Sequence, residues 1–219
     1  MSKHSKFEQE GRMMAMARGE KNDPELKKQK IVTAALRLFS AKGYHATTTK
    51  EIAEESGVTE GLIFYYFGGK RKLLMHIVHS FSFALLAQDG ADRWKRLPLD
   101  EALVQYGCRY LQFLKENREY LLLIWSPEMM RDEAVSQEVL RLIGNIGASG
   151  SSILKQSAPV GQISEQTYHV AATMLNASIL LYFALHSRFG SEMAVLGDEE
   201  AYIRQLVGLL LHGLYKGDA

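Results

Sequence analysis

From Glu25 onward the chain carries a helical rhythm of apolar and polar positions. Ile31, Ala34, Ala35, Leu38 and Phe39 recur at the i, i+3, i+4, i+7, i+8 spacing of one buried stripe, with Lys27, Lys28 and Lys30 off it. Gly43 supplies a C-terminal stop. Further helices are predicted over 70–88, 99–117, 118–126, 132–157, 164–188 and 199–216. Breaks are predicted near Asp89-Gly90, Pro98, Pro127, Pro159-Val160-Gly161 and Gly197. No strand-like alternation of useful length follows. The expected fold is all-α, with about nine helices.

The stretch 47–74 holds the densest local signals. Thr48-x-x-Glu51 fits a capping box, in which hydroxyl and carboxylate satisfy two free backbone donors. A short helix over about 49–55 then turns Ile52 and Ala53 inward. In Ser56-Gly57-Val58 the glycine permits the left-handed conformation of a tight inter-helix turn. Thr59 can cap the next helix, Val58 can staple to Ile63, and Ile63, Phe64 and Phe67 return to a small core. Two short helices about a glycine turn make a helix-turn-helix.

Charge changes the picture only through its distribution. The formal net charge is +1, which argues against a general polycationic coat. Residues 1–75, however, hold 14 Lys and Arg against 9 Asp and Glu, and the remainder 12 against 16. A basic front on an acidic body suits local contact with a polyanion, although a solvated basic face reads the same. Residues 1–23 alternate charged and small residues and are expected to be a flexible arm ending at Pro24. One cysteine, Cys108, permits no internal disulfide. No unbroken run of 18 apolar residues and no secretory leader is evident, so a cytoplasmic location is the expectation.

Gly43-Tyr44, Thr47-Thr48, Ile52-Ala53, Gly57-Val58-Thr59, Gly61, Ile63, Phe64-Tyr65-Tyr66-Phe67 and Lys70-x-x-Leu73 together resemble the TetR/AcrR family signature, across about residues 25–75. The resemblance implies a three-helix DNA-binding domain over 24–75 and a ligand-sensing, dimerising helical domain over 76–219. It implies that the helix opening at Thr59 lies in the major groove. Lys50, Thr59, Glu60, Gly61, Leu62 and Phe64 would then lie nearest the bases. Thr48, Thr49, Tyr65, Tyr66 and Lys70 would hold phosphates. Glu60 has two readings: it accepts from a cytosine amino group, or it complements the helix dipole. Tyr65 can face the core, but two adjacent tyrosines cannot both do so. Thr49 stands where the family usually places an apolar side chain, and Gly68-Gly69 predict a loose start for the helix at Lys70.

Beyond residue 75 the resemblance extends only to length and helical rhythm. It implies a homodimer formed through helices at about 164–188 and 199–216, against which stands burial within one chain. It implies a near-palindromic double-stranded DNA operator, usually repressed, with release by a small hydrophobic or amphipathic ligand. Tyr106, Tyr110, Phe113, Trp125, Met129 and Asn176 are the candidate pocket residues, although aromatics at helical spacing are more often plain core. The alternative function is a DNA-tethered protein whose body docks a protein partner. No enzyme activity, cofactor or metal is called for. His76-x-x-His79 lacks a third ligand nearby, and Gly144, Gly147 and Gly150 lack the strand and Lys-Ser/Thr of a phosphate loop.

Overall fold

A computed structural model describes residues 23–81, 94, 96–156 and 164–212, all of whose regular elements are helical. The expected arm, apart from Asp23, the predicted breaks at 89–90 and 159–161, and the predicted helix end at 216 lie outside the described residues. The helices are α1 Pro24–Lys42, α2 Thr49–Ser56, α3 Glu60–Phe67, α4 Lys70–Ser80, α5 Leu99–Glu116, α6 Arg118–Ile124, α7 Pro127–Met130, α8 Glu133–Gln156, α9 Glu165–Phe189 and α10 Glu199–His212. A 3₁₀ segment, Gly190–Leu196, links α9 to α10.

Local chemistry explains most boundaries. Asp23 accepts from the Glu25 amide, and Pro24 takes the first helical position, where its missing donor costs nothing. Gly43, at φ 93° and ψ 154°, stops α1. Pro127, expected as a break, instead opens the one-turn α7 under a Ser126 cap, which adds a helix to the predicted set. The helix predicted over 70–88 stops at Ser80. No glycine or proline causes that. Phe81 leaves the helix in an extended conformation and stacks on Tyr120, with ring centroids 3.8 Å apart. The Tyr120 hydroxyl donates to the Val78 carbonyl of the same last turn. A tertiary contact has overridden local propensity.

The buried side chains form one continuous cluster running from Ile31 in α1 to Val207 in α10. In the front end, Ile31, Ala35, Phe39, Ile52, Ile63 and Leu73 close a small core among α1–α4. In the body, α8 packs along α9, and α5 packs between α9 and α10. Gly107 in α5 is required there: a Cβ would lie 2.8 Å from Ile203 and 3.1 Å from Ile179. Gly150 similarly lets α8 approach Ala172 of α9, so it is a packing glycine. The front end rests on the body mainly through α1 against α6 and α4 against α8.

By length and composition alone, α9 would pass as a membrane-crossing segment, although no unbroken apolar run marks it. One face carries buried Ala172, Leu175, Ile179, Tyr182 and Phe183. The opposite face presents Val170, Thr173, Met174, Ala177 and Leu181 uncovered and without charge. This helix supplies core on one side and an unmet apolar stripe on the other.

Candidate nucleic-acid interface

The capping box forms as the sequence implies. Thr48 Oγ1 accepts from the Glu51 amide, and Glu51 Oε2 accepts from the Thr48 amide at 2.8 Å. Lys42 hydrogen-bonds the same carboxylate, and with the Thr48 donors it lowers the Glu51 pKa to about 2. The box is therefore complete above the ordinary carboxylate range near 4.5 and is lost as pH falls through about 2. Gly57 closes α2 in the left-handed region at φ 67°, and its neighbour Val58 packs against the core. Thr59 stands at the N-cap of α3, but its hydroxyl makes no capping bond; only its carbonyl engages, accepting from the Leu62 amide.

This turn aims one face of α3 outward. Ile63 and Phe67 are buried, whereas Thr59, Glu60, Gly61, Phe64 and Tyr65 are exposed. Phe64, expected partly in the core, is 53% exposed, and Tyr65 is 79% exposed. The reason is the 3.6-residue period: Ile63 and Phe67 fill the inward side, so Phe64 falls between them and solvent. Tyr66 is half-buried, edge-on to Tyr65, with the Lys28 ammonium 5.6 Å from its ring centre. Lys50 is exposed on α2, and Leu62 is half-buried.

Thr49 donates its hydroxyl to Glu60 Oε1, joining α2 to the first turn of α3. That bond accounts for a polar residue at position 49. It fixes the Glu60 carboxylate at the leading edge of α3. Thr48 shares its hydroxyl with Glu51, so it already has an internal partner.

Lys70 departs from expectation. Its ammonium donates to the carbonyls of Tyr44 at 2.9 Å and Thr47 at 2.8 Å, lies 3.4 Å from that of His45, and sits 4.5 Å from the Tyr44 ring centre. An ammonium has three protons, and these acceptors use them. The lysine holds the turn after α1 onto the start of α4; it is not presented to a phosphate. The same clamp fixes the start of α4, which the two preceding glycines had predicted to be loose.

The opposite side of that turn is held from the body. Glu128, in α7, accepts from the Tyr44 amide at 2.7 Å and lies 3.4 Å from the His45 amide. Its carboxylate packs against Gly43, where a Cβ would be 3.3 Å away. Arg71 pairs with Asp132, holding that carboxyl below its usual range, and His79 Nε2 lies 3.0 Å from Glu138. Helices α1–α4 are thus tied to the body at the 43–47 turn and along α4. Glu128 carried no sequence signal, because its partners lie 83 and 84 positions away.

The expected ligand residues divide. Tyr106, Tyr110, Phe113, Met129 and Asn176 are buried in the body. The Tyr106 hydroxyl lies 3.0 Å from both Asn176 Oδ1 and the Ile146 carbonyl, and Asn176 Nδ2 has no hydrogen-bond partner among the described residues. Burial pushes the Tyr106 and Tyr110 hydroxyls well above their ordinary range. Trp125 does not join them. It is 47% exposed and lines a surface groove between α6 and α9, because the chain leaves the helix at that residue to enter the Ser126 cap.

Residues 31–77 match the family model described as bacterial regulatory proteins, tetR family. The chain is similar to two uncharacterized HTH-type transcriptional regulators of Bacillus subtilis. It is 26% identical to YvkB over 197 residues, covering 85% of this chain and 96% of that one. It is 22% identical to YerO over 193 residues, covering 86% of this chain but 65% of that one. Its fold is that of the transcriptional regulator FadR from Bacillus subtilis, solved in complex with stearoyl-CoA, at a TM-score of 0.64 and 17% identity over 85% of this chain and 99% of that one. A capped helix, a glycine turn and an outward-facing second helix, inside the stretch that the family model matches, make residues 31–77 a tetR-type regulatory helix-turn-helix region on an all-helical body.

Proposed function

We propose that the chain is a homodimeric repressor that reads a near-palindromic operator with α3 and leaves it when a small hydrophobic or amphipathic ligand binds the body. The observation that carries this reading is the outward face of α3. An eight-residue helix that leaves Phe64 and Tyr65 in solvent beside Glu60 and Gly61 presents two large aromatic side chains that the core does not bury. Lys50, Thr59, Glu60, Gly61, Leu62 and Phe64 form the base-proximal set; Thr48, Thr49, Tyr65 and Tyr66 form the backbone set, with Lys70 serving as a positioning residue. The reading head spans 24–75, the body spans 76–219, and the protein works beside DNA in the cytoplasm.

The uncovered stripe of α9, with Leu209 on α10, supports a two-fold seam between copies. A dimer would set two α3 helices against half-sites about 34–36 Å apart. The ties from Glu128, Asp132 and Glu138 to the reading head supply a route by which a ligand in the body alters that spacing. Such a ligand must bind the released state more tightly than the bound state. The stearoyl-CoA bound by FadR supports an amphipathic class for this ligand.

Selection from random duplexes tests the reading. The wild-type chain is expected to enrich a two-fold-related site. Glu60→Ala is expected to relax preference at one base pair per half-site by roughly 1–3 kcal/mol. No enriched sequence would contradict the regulator; enrichment with unchanged preference in the variant would return Glu60 to its dipole role.

A further inference from the structure

We propose that a notch at Gly61, on the outward side of α3, receives the 5-methyl group of a thymine in the major groove, with Phe64 as its apolar wall. This contact rests on the reading of α3 as the operator helix, and it names the base feature that this part of the helix selects.

Gly61 is the second residue of α3, and it is not among the glycines at positive φ. A Cβ built on it would meet nothing within 4 Å. The fold therefore has no need of a glycine here, where alanine is the better helix former. Gly144, Gly147 and Gly208 share that freedom in the body, so the glycine alone selects nothing. Its surroundings do. Ile63 and Phe67 fill the inward side of α3, which leaves Gly61 exposed on the other. Its neighbours one turn on are Phe64 and Tyr65, both exposed. Each ring is held clear of it. Phe64 rests at Gly69, 3.5 Å from where a Cβ would stand, and Tyr65 lies edge-on to Tyr66 at 5.2 Å. Bare backbone at Gly61 is thus left as a recess between larger side chains.

Chemistry selects the occupant. Glu60 stands beside the recess with its carboxylate held by Thr49, and that negative charge repels a phosphate oxygen. Glycine adds no polar side chain of its own, and Phe64 supplies an apolar surface. Among the groups that base pairs present in the major groove, the thymine 5-methyl is the apolar one. Set on bare backbone beside an aromatic ring, it and the ring both lose water. An alanine at position 61 would place its own methyl group where that of the thymine goes.

Binding of the full chain to a duplex recovered from the selection tests the contact, with each thymine of the half-sites replaced in turn by deoxyuridine, which removes the methyl group alone. For the wild-type chain one thymine position is expected to matter. Replacing it in one half-site should weaken binding about fourfold, the ~0.8 kcal/mol of one buried carbon, and in both half-sites about fifteenfold. Gly61→Ala should keep or raise the thermal midpoint, because alanine suits the helix. It should bind the thymine duplex roughly tenfold or more weakly, through overpacking. It should also prefer deoxyuridine at that same position, since the protein then carries the methyl that the base has lost. A wild-type chain indifferent to every deoxyuridine overturns the proposal. So does a Gly61→Ala chain that loses affinity equally for both bases, keeps wild-type affinity, or unfolds at a lower temperature. A selection that enriches no duplex sinks the operator reading and the contact with it; an enriched duplex that ignores deoxyuridine sinks the contact alone.

Discussion

Replacing Lys70 with methionine is expected to lower the thermal midpoint and weaken operator binding without changing the salt dependence of that binding. The ammonium serves three carbonyls of one turn, two of them within 2.9 Å, and sits over the Tyr44 ring. Hydrogen bonds to a charged donor contribute roughly 1.5–3 kcal/mol each, and methionine keeps the stem while stranding the acceptors. A net loss of about 2–3 kcal/mol is expected, or roughly 5–10 °C for a chain of this size. Operator affinity falls because the turn and the start of α4 move relative to α3. A phosphate-binding lysine behaves in the opposite way: its removal leaves the midpoint in place and reduces the salt slope by about one. Thermal unfolding and a salt titration of Lys70→Met separate the two roles.

The second large effect is expected at Glu128. Glu128→Ala removes the acceptor from the half-buried Tyr44 amide and the wall against Gly43. An orphaned donor of this kind costs about 1–3 kcal/mol. Amide exchange at Tyr44 should quicken roughly ten- to a hundredfold, in step with that cost. The α2–α3 amides should change less, because the capping box, the Gly57 turn and the Thr49–Glu60 bond do not involve the body. Glu128→Gln, which retains an oxygen acceptor, should give a smaller change. Unaltered exchange at Tyr44 in the alanine variant would show that the body does not hold this turn.

These two residues mark where the sequence stops being legible. The reading helices could be derived because their determinants are local. Thr48 reaches Glu51 within one turn of helix, Gly57 meets a left-handed backbone requirement at its own position, and the burial of Ile63 and Phe67 follows from the helical period. The all-helical class was legible for the same reason. The role of Lys70 was not: its acceptors lie 23 to 26 positions earlier, and only the folded turn brings three carbonyls to one ammonium. Glu128 and the Arg71–Asp132 pair are more distant still. Phe64 was expected both in the core and nearest the bases; the outcome was decided by which neighbours had already filled the small interior. In the body, apolar periodicity identified the helices but not the sides they turn to one another. Trp125 therefore fell into a surface groove while Tyr106 and Asn176 met in the interior.

A salt titration of operator affinity by fluorescence anisotropy, using a duplex recovered from the selection, bears most directly on α3 as a groove-reading helix flanked by phosphate contacts. Raising salt from about 50 to about 200 mM is expected to weaken binding by roughly 10³–10⁵-fold if the dimer neutralises some six to ten phosphates. Affinity indifferent to salt, or no binding to any duplex at low salt, would contradict it.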